Sequence, residues 1–175
     1  MPKYVAFLRG INVGGRTSIK MEALREVFAR LGFANVKTYI QSGNVVFESE
    51  ALDDRKLAAS IETAVEKHFF RTPVMVRSFE ELRRIVAENP FAGEAFEDKL
   101  FHVVFLSERL SDENAALLVS HNRDEERFAV RGREVYCLLR DGVAESLLGK
   151  KYIDNKLKTP ATARNWRTVN KILAL

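Results

Sequence analysis

A glycine-rich stretch near the amino terminus, Arg9-Gly10-Ile11-Asn12-Val13-Gly14-Gly15-Arg16-Thr17, carries the residues best suited to bind an anion. Its three glycines allow left-handed backbone and a close approach of main-chain N–H groups to a ligand. Two arginines flank the glycines, and no acidic residue occurs before Glu22. Because a helical pattern follows from about Lys20, the N–H groups and dipole of a helix amino terminus would favour an anion there.

The segment from Gly10 to Thr17 also fits, loosely, the phosphate-loop spacing GxxxxGK[ST], with Arg16 in the lysine position. Arginine does not reproduce the geometry of a lysine ammonium group. The order of elements predicts an antiparallel sheet, whereas phosphate-loop proteins use a parallel one, and no apolar strand ends in an aspartate placed to hold Mg²⁺. The sequence therefore favours a simple anion-binding loop over a nucleotide triphosphatase, and a purely structural glycine turn stays open beside both.

Two further polar groups could contribute to a site. Gln41-Ser42-Gly43-Asn44 stands between two apolar segments and predicts the tip of a hairpin, although turns favour these residue types for structural reasons too. Near the carboxyl end, a helix is predicted to begin at Thr159-Pro160, with Trp166 on its apolar face. Arg164, Arg167 and Lys171 share another face of that helix. They would either meet solvent, or the two arginines, which flank Asn165, would present forked donors to a phosphate or carboxylate.

Other kinds of chemistry have less support in the sequence. Ser42 is not in a Gly-x-Ser-x-Gly elbow, and the three histidines show no pairing pattern that would activate it. No Cys/His spacing resembles a zinc site, and the single cysteine, Cys137, is predicted to be a buried strand thiol. His102, within an apolar strand, is predicted to be a core histidine. We expect no cofactor and no metal, and the sequence leaves open whether the protein is an enzyme.

The composition, with 46% hydrophobic and 30% charged residues, is typical of a globular protein. No segment approaches the ~18 apolar residues of a membrane span, and the amino terminus lacks the apolar core of a signal peptide. We therefore expect a cytoplasmic protein with no membrane partner. The net charge of +4 is unevenly distributed, since residues 1–20 and 150–175 are basic and the chain between them is acidic. This asymmetry favours an anionic partner, nucleic acid or a phosphorylated small molecule.

The periodicity of apolar residues predicts the elements that must position these groups. Strands are predicted at 4–8, 36–41, 45–47 and 73–77, with helices between them and after Ser78. This βαββαβ order predicts a ferredoxin-like half, with helices on one face of an antiparallel sheet. Residues 100–139 repeat the order βαββ, and C-terminal helices follow. We expect an α+β protein with a ferredoxin-like half (1–92) and a smaller second half (97–175), both with antiparallel sheets.

Three separated segments, Tyr4–Gly15, Tyr39–Phe47 and Thr162–Val169, closely resemble the bacterial domain-of-unknown-function family 1697. The resemblance extends over nearly the whole chain and implies an α+β fold of uncertain biochemical role. It also implies a basic residue after the second glycine of the loop, which Arg16 provides. The family motif residues that carry over are Arg9, Asn12, Gly14, Gly15, Gln41, Ser42, Asn44, Arg164, Asn165 and Trp166.

The leading hypothesis is a cytosolic protein that binds a phosphate-bearing ligand, nucleic acid or nucleotide, through the glycine-rich loop and the basic C-terminal helix. An enzyme acting on a small phosphorylated or acidic metabolite and a protein-interaction module are the alternatives. The closely spaced stacking aromatics of RNA-reading sheets are not evident. The predicted ligand-binding residues are Arg9, Gly10, Asn12, Gly14, Gly15, Arg16, Gln41, Ser42, Asn44, Arg164, Asn165 and Arg167.

Overall fold

The structure of the protein, a computed structural model, describes residues 1–12 and 17–175. The chain divides into two compact units, one of residues 1–84 with 172–175 and the other of residues 85–171. The sequence-based division at residues 92–97 stays a prediction. Gly14, Gly15 and Arg16 of the predicted anion site lie outside the described residues.

The first unit is a four-stranded antiparallel sheet in the order β2-β3-β1-β4. This is the strand order of a ferredoxin-like βαββαβ fold, with the first strand in the centre, as the sequence predicts. Its elements are β1 (Lys3–Leu8), α1 (Met21–Arg30), β2 (Ala34–Tyr39), β3 (Asn44–Glu48), α2 (Asp54–His68) and β4 (Val74–Ser78), followed by α3 (Phe79–Ala87), which crosses the unit boundary.

Local signals explain where these helices begin and end. The side chain of Asp53 accepts the N–H groups of Arg55 and Lys56 and so caps α2. Gly32, in the left-handed conformation at φ +86°, follows the last turn of α1 and donates its N–H to the carbonyl of Ala29. The helices then bury their apolar faces against the sheet.

The central strand β1 is buried on both faces of this sheet. The side chains that alternate toward α1 and α2 form one core, which includes Ala6, Leu8 and Phe47. The residues between them on β1, Val5 and Phe7, are also 0% exposed. A sheet that reads RNA needs an open face on which bases can stack. The central strand of the first unit offers no such open face.

The second unit repeats the same topology, with an antiparallel sheet in the order β6-β7-β5-β8. Together the two sheets confirm the predicted α+β class. Its elements are a single 3₁₀ turn (Asp98–Leu100), β5 (Phe101–Leu106), α4 (Asp112–Val119), β6 (Glu126–Arg131), β7 (Glu134–Leu139), α5 (Tyr152–Asn155), β8 (Ala161–Asn165) and α6 (Trp166–Leu173).

The predicted helix start at Thr159-Pro160 is wrong, because Ala161–Asn165 form strand β8 and the last helix begins only at Trp166. The strand pairs with β5 from Leu106↔Ala161 to His102↔Asn165. This long-range pairing overrides the local cap-and-proline signal, and a proline just before an edge strand is tolerated because it lacks only a donor. The second unit is therefore a complete βαββαβ repeat rather than βαββ followed by helices.

The duplication extends to individual residues, which the order of elements alone did not reveal. Segments 71–85 and 158–172 share the pattern basic-Thr-Pro-x-x-x-Arg-polar-aromatic and end in isoleucine. Arg77 on β4 and Arg164 on β8 occupy the same register, opposite Val5 and Val103 of the central strands. Each guanidinium donates to the carbonyl of the residue before it, at 3.0 Å for Arg77 and 2.9 Å for Arg164.

The residue after each arginine has the same function in both units. Ser78 Oγ accepts the N–H of Glu81 at 3.1 Å, and Asn165 Oδ1 accepts the N–H of Thr168 at 2.9 Å. Each side chain thereby caps the helix that follows its strand. The shared arginine and cap indicate that the repeated motif specifies a strand that turns directly into a helix.

Gly149, which precedes α5, has no room for a side chain because neighbouring backbone atoms lie close to its Cα. A Cβ on Gly149 would lie 2.1 Å from the carbonyl oxygen of Val143 and 2.9 Å from that of Ala144. Since both neighbours are backbone, Gly149→Ala is expected to lower the free energy of unfolding by at least about 2 kcal/mol in urea denaturation. A Cβ on Gly93 would meet no described atom within 4 Å, so Gly93→Ala is the control and is expected to change stability by less than about 1 kcal/mol. Equal effects of the two substitutions would contradict the packing argument.

Candidate functional site

The candidate site lies at the carboxyl end of the central strand β1, between the connections to its two neighbours. We call this side of the sheet, where the strands end, its edge. The N–H of Leu8 donates to Gly43 of the β2–β3 hairpin at 2.8 Å, and the N–H of Arg9 donates to Pro73 before β4 at 3.2 Å. Because antiparallel neighbours bring their opposite ends to the same edge, three connections meet there: residues 9–20, 40–43 and 69–73. The sheet topology therefore brings together the first two polar groups predicted from the sequence.

Arg9 is fixed through its backbone rather than through a helix. Its carbonyl accepts the hydroxyl of Thr72 at 2.5 Å, in addition to the bond that its N–H makes with Pro73. The half-buried Arg9 and the exposed Arg71 thus belong to adjoining segments. Sequence analysis did not identify Arg71 or Thr72. The ferredoxin-like strand order was the signal that could have found them, because it places the segment before β4 beside the end of β1.

Asn12 connects the glycine-rich loop to the hairpin. Its amide nitrogen donates to the carbonyl of Gln41 at 2.6 Å, and its amide oxygen accepts the N–H of Ile19 at 2.9 Å. Its own N–H donates to the carbonyl of Thr17 at 2.8 Å, so both ends of the loop are held. Asn12 adopts the left-handed conformation at φ 55°, which asparagine tolerates better than most residues. Asn12 therefore acts as a clamp between the two predicted groups.

The hairpin is held from inside by Asn44, which is 0% exposed. Its amide nitrogen donates to the carbonyl of Tyr39 and to the hydroxyl of Ser42, both at 3.0 Å. Gly43 must be glycine, because its φ is +88° and a Cβ would lie 3.0 Å from side-chain atoms of Ile11 and Leu8. The conformation of the tip is thus set by contacts with β1 and the glycine-rich loop.

The charge of this edge is strongly one-sided. Its three connections contain four basic residues and no acidic one, Arg16 lying outside the described residues. Such a site attracts anions, and the effect decreases with salt. The edge also carries an exposed apolar side chain, since Ile40 is 52% exposed and has φ 48°, a strained conformation for a β-branched residue. The basic residues are Arg9, Arg16, Lys20 and Arg71.

The second unit has a corresponding edge, but without the long glycine-rich connection. There the connection after the central strand runs only from 107 to 111, and Ser111 caps α4 by accepting the N–H of Asn114 at 3.1 Å. In the first unit the connection runs from 9 to 20, and Lys20 at the N-cap of α1 makes no side-chain capping bond with the described residues. The longer loop is therefore an addition to the common scaffold, and it leaves the amino terminus of α1 without a side-chain cap.

The third predicted group, at the carboxyl end, belongs to the second unit. Arg164 lies on a strand and is 8% exposed, so its placement on an exposed helical face beside Arg167 is wrong. Burial lowers the pKa of Arg164 to about 10, which leaves it protonated at neutral pH. Asn165 caps α6, and Arg167 and Lys171 are exposed on that helix. Participation of this group and Arg9 in one site stays a prediction.

Catalytic arrangements find little support in the described residues. His102 is mostly buried, and its Nδ1 has no hydrogen-bond partner among them. His121 Nε2 lies 3.2 Å from the hydroxyl of Tyr152, and His68 is exposed at the end of α2. Within residues 1–12 and 17–175, no three His, Cys, Asp or Glu side chains are grouped so that they could hold a metal. No helix of this part of the chain is long and apolar enough to cross a membrane.

A surface groove lies between α1 and α2, and sequence analysis did not predict it. Two adjoining depressions of about 420 and 440 Å³ share Val27, Arg30, Lys67 and His68 in their walls. Glu26 lies 3.9 Å from Arg30 and offsets part of the positive charge. The groove is therefore a weaker candidate for an anion than the acid-free edge of the sheet.

Comparison with known proteins agrees with this fold. A family model described as a protein of unknown function (DUF1697) matches residues 1–136. No curated protein matches the chain. Among solved structures, the conserved bacterial protein SP0830 from Streptococcus pneumoniae is similar to this chain, with 24% sequence identity and a TM-score of 0.78 over 99% of this chain and 97% of that one. This likeness supports the fold alone.

Asn44→Ala is expected to destabilise the hairpin, because it removes two hydrogen bonds and leaves the carbonyl of Tyr39 without its side-chain donor. We expect the free energy of unfolding to fall by about 1–3 kcal/mol in urea denaturation. Asn170→Ala is the matched control, since its amide also donates to a backbone carbonyl, that of Trp166, but is exposed to water. A loss in Asn44→Ala no larger than in this control would show that Asn44 does not hold the hairpin.

The low pKa of His102 should make the protein less stable as the pH falls below 6.5. Burial lowers the pKa of His102 from 6.5 to about 4. As the pH falls below 6.5, His102 is protonated in the unfolded chain but stays neutral in the folded protein until about pH 4. The free energy of unfolding should therefore fall by roughly 3 kcal/mol across this interval. His102→Phe should remove this part of the dependence, whatever its effect at neutral pH. Identical slopes for the two proteins between pH 6.5 and 4 would exclude the buried neutral imidazole.

Proposed function

Because this chain belongs to the DUF1697 family, whose function is unknown, we propose from its geometry that it binds a phosphate-bearing ligand at the edge of the first unit. The observation that carries the proposal is the convergence of three acid-free connections at the end of β1. Arg9 and Arg71 lie on adjoining segments tied by the Thr72 hydroxyl, and the clamp at Asn12 holds the hairpin beside them. Arginine offers forked N–H donors that match the oxygens of a phosphate.

The backbone supplies a second kind of donor in this proposal. The α1 helix begins at Met21 after the glycine-rich loop, and its N-cap residue, Lys20, provides positive charge without a side-chain acceptor. The first N–H groups of a helix and its dipole favour a negative charge. Gly10 contributes a left-handed turn, at φ 63°, immediately after Arg9. Gly14, Gly15 and Arg16 remain predicted ligand contacts on the basis of the sequence.

The polar side chains that were predicted to line the site instead hold its shape. The amides of Asn12 and Asn44 are both engaged in bonds to neighbouring backbone or side-chain groups. Gln41 contributes its carbonyl to the clamp, and Ser42 accepts from Asn44. These roles suit a preformed binding site more than proton transfer, so binding is favoured over an enzymatic activity on a small metabolite.

Titration calorimetry with inorganic pyrophosphate and with a nucleoside diphosphate tests the proposal. We expect saturable binding of at least one of them at low salt, weakening as salt rises. Arg9→Gln and Arg71→Gln should each raise the Kd about tenfold, because each removes a charge-assisted hydrogen bond.

Arg55→Gln is the control, since Arg55 is an exposed cation on α2 whose loss changes the net charge by the same amount. An equal loss of affinity in all three variants would mean that only net charge matters. No binding of either probe to the wild-type protein would refute the proposed function.

A further inference from the structure

The second unit also carries a basic edge, at the position that corresponds to the candidate site of the first. The N–H of Leu106 donates to the carbonyl of Arg133 at 2.9 Å, and the N–H of Ser107 donates to that of Pro160 at 3.0 Å. These two bonds repeat those that Leu8 and Arg9 make in the first unit. The connections 107–111, 132–133 and 156–160 therefore meet at the end of β5, beside Arg131, the last residue of β6.

This edge is basic in its own right. Its three connections contain four basic residues and a single acidic one, Glu108, and Arg131 at the end of β6 is a fifth basic residue. Arg133 is half-buried and makes further interactions, while the remaining four are exposed. Those four side chains are Arg109, Arg131, Lys156 and Lys158.

Lys158 carries its positive charge at a position where the backbone conformation is unfavourable for lysine. Its backbone is left-handed, at φ 56°, as is that of Lys151 at φ 57° in the same crossover. Asparagine or glycine would adopt this conformation at lower cost. The corresponding residue of the first unit, Arg71, is also basic, so the duplicated motif keeps a cation before its Thr-Pro pair.

The crossovers of the two units differ in charge. In the first unit the crossover is the long helix α2, Asp54–His68, in which the charges of three acidic residues and three Lys or Arg residues cancel. In the second unit α5 is a single turn, Tyr152–Asn155, and four lysines surround it within 150–158, with Asp154 as the one acidic residue. The apolar residues of this segment, Ile153 and Leu157, are each 3% exposed and belong to the core. The four lysines are all exposed, as is Asn155, whereas Tyr152 and Asp154 are half-buried.

We propose that this edge of the second unit is a contact surface for the phosphate backbone of nucleic acid. Exposed cations on two connections and at the end of β6 suit a ligand with repeated phosphates better than a single small anion. A membrane surface is less suitable, because Leu110, Ile153 and Leu157 are buried and offer no apolar side chain to the lipid. Contacts of this kind position a nucleic acid but do not read its sequence.

Fluorescence anisotropy of a labelled 20-nucleotide single-stranded DNA, measured across a range of salt concentrations, tests this inference. The variant Arg109→Gln/Arg131→Gln/Lys158→Asn should reduce the slope of log K against log salt by about 2, since each lost phosphate contact removes about 0.7 on a single strand. At low salt its affinity should fall at least tenfold. Lys158→Asn alone should reduce the slope by about 0.7 while keeping the fold, because asparagine accepts the left-handed backbone.

The matched control is Lys37→Gln/Arg55→Gln/Lys56→Gln, which removes the same charge from exposed positions on β2 and α2. It should change affinity less than twofold. An unchanged slope in the edge variants, or equal losses in the control, would overturn the inference. Binding to phosphatidylserine vesicles without binding to DNA would overturn it in favour of a membrane surface.

This inference stands apart from the anion site of the first unit. The double variant Arg9→Gln/Arg71→Gln should lose pyrophosphate binding and keep the part of the DNA salt dependence that Arg109, Arg131 and Lys158 provide. Failure of both pyrophosphate and the nucleoside diphosphate to bind would refute the proposed function, whereas this inference is decided by the DNA measurements alone.

Discussion

The pairing of a central strand on both sides is the constraint on which the rest of each unit depends. In the first unit β1 bonds to β3 and β4, and the last two N–H groups of this ladder, those of Leu8 and Arg9, reach the hairpin and the segment before β4. Because these bonds fix where three connections begin, they bring residues distant in sequence to one edge. The clamp at Asn12 and the buried amide of Asn44 then rigidify that edge. A preformed arrangement of this kind lowers the entropic cost of binding a ligand.

The internal duplication separates what the scaffold requires from what each unit adds. The arginine that bonds the preceding carbonyl and the helix cap that follows it occur in both units, as Arg77-Ser78 and Arg164-Asn165, so they are explained by folding. The long glycine-rich connection occurs only in the first unit, and the short lysine-rich crossover only in the second. These added segments carry excess positive charge. Binding of an anionic ligand is the simplest physical explanation for that charge.

Sequence reasoning failed where long-range pairing competed with a local signal. Thr159-Pro160 predicts a helix start by cap and proline preference, yet the ladder with β5 makes the following residues a strand and buries Arg164. Asp53 and Ser111 cap their helices, because a cap depends on residues that are neighbours in the sequence. Arg71 was missed for the opposite reason, since nothing in its neighbours marks it and only the strand order brings it beside Arg9.

The sequence by itself determined the α+β class, the βαββαβ order of the first half and the identity of its polar hairpin, because apolar periodicity, caps and turn residues are local properties of the chain. Only the tertiary structure decided that the second half completes the same fold, that Arg164-Asn165 is a strand end and a helix cap, and that Arg9 and Arg71 lie on adjoining segments. Those features depend on which strand ends lie side by side, and hydrogen bonds between distant segments set that arrangement.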